Sequence, residues 1–260
     1  IFMRYPQWYS YFDRKIHYKK FLYAAQNAQH IIAISEQTKR DIITYLRVPE
    51  EKITVVYQGC HKAFKNTYTS EEKTAIRQKY RLPDRFVLNV GAIESRKNAL
   101  EIVKAIEPLE DMSLVLVGKP TQYYEEIKRY CEAHNLSERV QLLSGVSMED
   151  LAIIYQLATV FCYPSVFEGF GIPIIEALFS KTPVITSKGS CFPEAGGAHS
   201  IYVNLDRAAT EIREAIVNIT TDEALRTTMI TEGYHYAQRF TDEAVFQELM
   251  KVYDQVRDKR

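Results

Sequence analysis

The chain has 260 residues, 46% hydrophobic and 25% charged, with 33 basic and 33 acidic side chains and hence a formal net charge of zero. A core of useful size is within reach at this length, and the balanced charge excludes the basic footprint of a nucleic-acid binder. No apolar run approaches the roughly 18–20 residues of a membrane helix, and the opening residues carry no secretory signal pattern, so a cytoplasmic protein is expected.

The chain starts with Ile1, and its first residues read as the interior of a domain whose beginning lies upstream. A helical stretch at about 14–28 leads into an apolar run at 31–34. Ser35-Glu36-Gln37-Thr38 then caps a helix running to about Leu46, because a serine side chain satisfies amides that a helix start leaves open. With the run at 53–57, residues 1–58 form a partial Rossmann-like unit with too few strands to close its own sheet.

From there to about residue 235 short apolar runs alternate with helical stretches. The runs are 53–57, 86–90, 114–117, 140–143, 160–163, 183–186 and 201–203, and the helices are 70–80, 98–107, 121–134, 149–158 and 173–180. Runs that are continuously apolar, without in–out alternation, belong to strands buried on both faces. Ala99, Ile102, Val103 and Ile106 share one helix face, and Ser147 followed by Glu149 and Asp150 marks a helix start. Alternation at this pitch predicts βαβ units: an α/β fold with a Rossmann-like parallel sheet flanked by helices. A last amphipathic helix, about 242–256, carries Val245, Leu249, Val252 and Val256 on one stripe behind a Thr241 cap. Cys60, Cys131, Cys162 and Cys191 are far apart in sequence and form no C-x-x-C pair, so they read as buried free thiols and not as a metal or disulfide framework.

Two segments carry chemistry. In the first, a buried strand ends at Gly91 and a short loop delivers Arg96 and Lys97 just before a helix. Ligands of open α/β sheets bind at the carboxyl ends of strands, and two cations beside a helix N-terminus make a diphosphate site. Taken alone, the pair reads as well as two solvated loop cations. In the second, Glu168-Gly169-Phe170-Gly171-Ile172-Pro173-Ile174-Ile175-Glu176 follows another buried strand. Gly169 and Gly171 permit close backbone approach or positive φ, Pro173 suits a helix start, and Glu176 lies one turn into that helix, facing back toward the loop. Carboxylates accept hydrogen bonds from hydroxyls, and sugars are made of hydroxyls. A helix-dipole role for Glu176 and a surface role for Glu168 are the plainer readings of each residue singly.

The segment Glu168–Glu176 resembles the E-x7-E signature of glycosyltransferase family 4, the group 1 enzymes with the GT-B fold. Val90-Gly91 with Arg96-Lys97-Asn98 resembles that family's donor-phosphate loop, although Ala92 stands where the family often has arginine. The segments 31–36, 53–59, 114–118, 140–145, 183–186 and 189–194 resemble further parts of the family in the right order, so the likeness covers nearly the whole chain. It implies that Arg96 and Lys97 bind the donor diphosphate, that Glu176 holds the nucleotide ribose, and that Glu168 with the amides of Gly169, Phe170 and Gly171 faces the transferred sugar. Gly91 and Gly118 would border the cleft, and Val146 would lie near the base. It further implies a retaining transferase that needs no metal or other cofactor. Its donor is a nucleotide sugar, GDP- or UDP-linked, and its acceptor a carbohydrate or lipid-linked hydroxyl. Peripheral membrane association of the full-length enzyme fits the same picture. Residues 1–58 then belong to the acceptor domain, 59–235 to the donor domain, and 236–260 to a crossover helix returning to the first. His17 and His30 do not match the context of the active-site histidine that the acceptor domain often supplies. Two other readings stand beside transfer of a mannose- or glucose-type sugar: a donor-binding module without turnover, and a GT-B-like sugar-nucleotide epimerase. A dinucleotide dehydrogenase is disfavoured, since no G-x-G-x-x-G follows the first strand of a unit.

Overall fold

The structure, a computed structural model, describes residues 1–258. The first unit contains α1 (Tyr11–Asn27), β1 (Ile31–Ala33), α2 (Glu36–Leu46) and β2 (Ile53–Val55), with β1 and β2 paired in parallel. The Ser35 hydroxyl accepts from the amide of Thr38, as the capping pattern predicts. A small core of Ala25, Ala33, Val48 and Ile53 holds the unit together.

The second unit is a six-stranded sheet. In chain order its elements are α3 (Ser70–Tyr80), β3 (Phe86–Val90), α4 (Ala99–Ile106), β4 (Ser113–Val117), α5 (Tyr124–Ala133), β5 (Val140–Leu143), α6 (Met148–Leu157), β6 (Val160–Tyr163), α7 (Ile172–Phe179), β7 (Val184–Ser187), α8 (Phe192–Gly196), β8 (Ile201–Val203), α9 (Ala208–Thr221), α10 (Glu223–Ala237) and α11 (Asp242–Arg257). The strand order is β5-β4-β3-β6-β7-β8, and every neighbouring pair is parallel.

Apolar continuity in the strands has a direct cause. Side chains of a strand alternate between faces, and here both faces are covered. Phe86, Leu88, Phe161 and Tyr163 pack with Leu151, Tyr155, Ile174 and Leu178 of α6 and α7. Val87, Val160 and Cys162 pack on the other side with Ile102, Ile106, Ile127 and Ile212 of α4, α5 and α9. All four cysteines are free and buried.

Element ends agree with the sequence-based reading to within three residues, and α8, α9 and α10 are additional. In α10 the buried residues are Met229, Gly233 and Ala237, and Gly233 sits so close to Leu178 that an added Cβ would come within 2.9 Å of it. A helix docked through a glycine shows no clear apolar stripe. The segment 236–260 is not one helix: α10 ends inside it, a short turn follows, and α11 begins at Asp242 behind the Thr241 cap. Val252 of the expected stripe is buried, while Phe246, Met250 and Tyr253 are exposed. Among the described residues no helix is long and apolar enough to cross a membrane.

Candidate functional site

Topology fixes where a ligand can be gripped. The sheet grows in one direction through β3, β4 and β5 and in the other through β6, β7 and β8. At such a reversal the loops leaving the two central strands diverge and leave a crevice at their carboxyl ends. The loop after β3 carries Arg96 and Lys97, and the loop after β6 carries Glu168 to Gly171. The two segments singled out in the sequence therefore flank the switch point.

They are also bonded to each other. The Val166 amide donates to the Arg96 carbonyl at 2.8 Å, and Asn98 Nδ2 donates to the Pro164 carbonyl at 3.1 Å. Asn98 has φ 53°, a left-handed conformation that asparagine tolerates better than most residues. Arg96 Nη1 donates to Glu168 Oε1 at 2.7 Å and to the Phe167 carbonyl at 3.2 Å, while Arg96 Nε donates to Glu94 Oε2 at 2.9 Å. Three donors converge on Glu168 Oε1: Arg96, the Tyr163 hydroxyl at 2.8 Å and the Ser165 hydroxyl at 3.0 Å. Burial opposes the Arg96 charge, but Glu168 and Glu94 outweigh it and the guanidinium pKa rises.

Lys97 is buried, 3.9 Å from Glu168 Oε1 and 5.3 Å above the Tyr163 ring. Burial lowers its pKa and Glu168 works against that drop. An ammonium beyond hydrogen-bond distance of its carboxylate is incompletely neutralised, which favours an incoming anion. Its room comes from Gly91, with φ 129°, where a Cβ would sit 2.3 Å from Lys97 Nζ. Gly118 is pinned in turn: a Cβ there would lie 2.0 Å from the Gly91 carbonyl oxygen. Ser144 donates to the Gly118 carbonyl at 2.9 Å, so the ends of β3, β4 and β5 are tied in sequence. Val146, just beyond β5, is half-buried and rests on the core.

Glu176 lies deeper than its sequence position suggests. It is 6% exposed, with the Tyr155 hydroxyl of α6 donating to Oε2 at 2.9 Å and lying 3.3 Å from the Pro173 carbonyl in the first turn of α7. Burial pushes its carboxyl up to about 7, the Tyr155 bond acting in the opposite sense. Gly171, with φ 113°, precedes α7, and no side chain caps the start of that helix. The Phe170 ring is buried against Tyr57 and Phe240, which leaves its backbone as the group able to meet a ligand.

The glycine loop is also stitched to the first unit. The Gly169 carbonyl accepts from the Ser35 hydroxyl at 2.7 Å and the Thr38 hydroxyl at 3.1 Å. Glu194 of α8 accepts from the Glu36 and Gln37 amides at 2.6 and 3.0 Å, so a carboxylate of the second unit caps a helix of the first. Between the units, a cavity of about 570 Å³ is lined by Arg96, Glu168 and Gly169 with Phe2, Phe21, Tyr45 and other residues of the first unit.

Arg96, Lys97 and Glu168 thus form one cluster over Gly91, with Gly169 on its cavity side and Gly118 beneath. Glu176 is set back and reaches the others through α7. Reading the sequence missed the groups that hold these residues: Tyr163 and Ser165 on Glu168, Tyr155 on Glu176, and Ser35, Thr38 and Glu194 between the units. Ser35 was visible as a cap and Glu194 as the end of the segment 189–194, but neither as a partner of the other unit.

The sequence matches the family described as Glycosyl transferases group 1 over residues 72–236 and the one described as Glycosyltransferase Family 4 over residues 2–63. It is 31% identical over 197 residues to the O-antigen chain mannosyltransferase RfbU of Salmonella typhimurium, covering 75% of this chain and 52% of that protein. Against the serotype-specific mannosyltransferase WbdA of Escherichia coli it is 30% identical over 207 residues, 76% of this chain and 25% of that one. The chain therefore spans between a quarter and about half the length of these relatives. Among solved structures, Anabaena Alr3699/HepE in complex with UDP-glucose superimposes with a TM-score of 0.81 at 19% identity, covering 89% of this chain and 65% of that one. With the family match extending over more than half of its residues, the chain belongs to the group 1 glycosyl transferases.

Proposed function

We propose that this protein transfers a mannose- or glucose-type sugar from a UDP- or GDP-linked donor to a hydroxyl of a carbohydrate or lipid-linked acceptor, with retention at the anomeric carbon. The observation that carries the reading is the meeting of Arg96, Lys97 and Glu168 at the switch point of the sheet. Relatives described as mannosyltransferases support it, as does a fold shared with a protein bound to UDP-glucose. The reading places the reaction in the cytoplasm.

In this reading the donor diphosphate lies against Lys97 and Arg96. The bond between the anomeric carbon and the phosphate oxygen breaks, a bond to the acceptor oxygen forms, and the acceptor's proton passes to the departing diphosphate. Charge grows on the phosphate as this happens, and fixed cations stabilise it without reorganising. Glu168 holds Arg96 in place and presents its carboxylate to the sugar. The open amides before α7 serve a phosphate or sugar oxygen, and Glu176 serves the ribose. None of these steps uses a metal ion.

Lys97→Ala in the complete protein tests the assignment. Loss of one cation facing the leaving group is expected to lower kcat by about 10²–10³, with the product anomer followed by NMR. Unchanged kinetics refute the phosphate role, and an inverted product refutes retention.

A further inference from the structure

Beside the donor crevice lies a second cleft, of about 540 Å³, on the Glu94 side of Arg96. Trp8, Tyr9, Glu94, Arg96, Gln122 and Glu126 are among the residues that border it. Its floor is the loop after β4, and its wall is the segment before α1. The donor reading assigns nothing to it.

Its chemistry is specific. Tyr5 stacks on the Trp8 ring at 4.4 Å and 17°, bracing the indole against the cleft. The side chains of Gln122 and Glu126 make no hydrogen bond among the described residues. The cleft therefore offers aromatic faces together with a spare amide and a spare carboxylate. A pyranose needs that combination. Its axial C–H bonds carry partial positive charge and meet the negative face of an aromatic ring, while its hydroxyls both donate and accept. The charge balance narrows the class further. Among the described residues Arg96 is the one cationic side chain bordering the cleft, and its guanidinium already serves Glu94 and Glu168; the Ile1 terminal ammonium borders it too, its charge disfavoured by burial. With Arg96 shared with Glu168 and the Ile1 ammonium weakened by burial, Glu94 and Glu126 leave the rim negative, which disfavours phosphorylated or carboxylated ligands.

We propose that this cleft seats an uncharged pyranose unit of the acceptor glycan, its ring against Trp8 or Tyr9 and its hydroxyls on Gln122 and Glu126. The proposal rests on the glycosyl-transfer reading, because a sugar held there lies next to Arg96 and hence to the donor crevice.

Trp8 is the single tryptophan of the chain, so its emission reports on this cleft. The 260-residue protein is titrated with neutral methyl glycosides (mannoside, glucoside, galactoside) and with glucuronate, following tryptophan emission and saturation-transfer NMR. UDP and GDP binding is measured calorimetrically on the same samples. A saturable emission change with at least one neutral glycoside is expected, with glucuronate about tenfold weaker. The Gln122→Ala/Glu126→Ala double variant, altered at two exposed positions, should lose the glycoside response and keep nucleotide affinity. Nucleotide binding with no glycoside response by either method overturns the subsite alone. Glucuronate binding as well as the neutral sugars overturns the ligand class, and a double variant with wild-type glycoside response overturns the residue assignment. Absence of nucleotide binding as well overturns the underlying transferase reading.

Discussion

Glu176→Gln should make this protein more stable at alkaline pH while weakening its grip on nucleotide. Glu176 is almost wholly buried and its carboxyl is pushed up to about 7 from an ordinary 4.5, first by burial. A carboxyl whose folded-state pKa lies above its unfolded value favours the fold when protonated. Its contribution is complete below pH 4.5 and is lost as pH rises through about 7. At about 1.4 kcal/mol per pH unit, the gap between the two values amounts to about 3 kcal/mol lost between acid and alkaline solution. Glutamine has nearly the same shape, and its carbonyl can still accept from the Tyr155 hydroxyl, so the variant removes the titration and keeps the packing. Urea unfolding of both proteins from pH 5 to 9 should give stabilities that are close at the acid end. They should diverge through neutrality until the variant leads by about 3 kcal/mol. Calorimetry with UDP and GDP should show weaker binding by the variant, since an amide accepts a ribose hydroxyl less strongly than a carboxylate. Stability curves that run parallel across the whole range would refute the argument from burial, and unchanged nucleotide affinity would refute the ribose role.

Two further outcomes follow from close contacts. Gly118→Ala places a methyl group 2.0 Å from the Gly91 carbonyl oxygen; relief requires backbone movement, so a loss of about 1–3 kcal/mol is expected in chemical denaturation, and an unchanged midpoint would contradict the contact. Glu194→Ala removes both acceptors from the start of α2; the Glu36 and Gln37 amides should exchange about tenfold faster, matching a cap worth about 1–2 kcal/mol, while β3 amides stay unchanged.

The central strands were legible because parallel strands under two helical layers must be apolar throughout, so Phe86–Val90 and Val160–Tyr163 stood out without any partner being known. Caps were legible for the same local reason: Ser35, Ser147 and Thr241 all accept from amides three residues on. What stayed hidden is what packing decides. The register that brings Tyr163 and Ser165 to Glu168 depends on how the β6 loop folds over the β3 loop, and no periodicity encodes it. Glu176 shows the same limit. Its place one turn into α7 was readable, but its turn toward Tyr155 depends on how α6 and α7 meet. The cleft beside Trp8 was invisible for a related reason, since its wall before α1 and its floor after β4 lie more than a hundred residues apart in the chain.

The Gly169 carbonyl has a consequence beyond holding two pieces together. A peptide unit is planar, so fixing that oxygen with Ser35 and Thr38 also fixes the direction of the Phe170 N–H on the other side of the bond. A swing of α2 away from the sheet would release the oxygen and let the peptide rotate. The aim of a donor in one half of the molecule is thereby set by two hydroxyls in the other, and the separation of the halves is written into the orientation of a single amide.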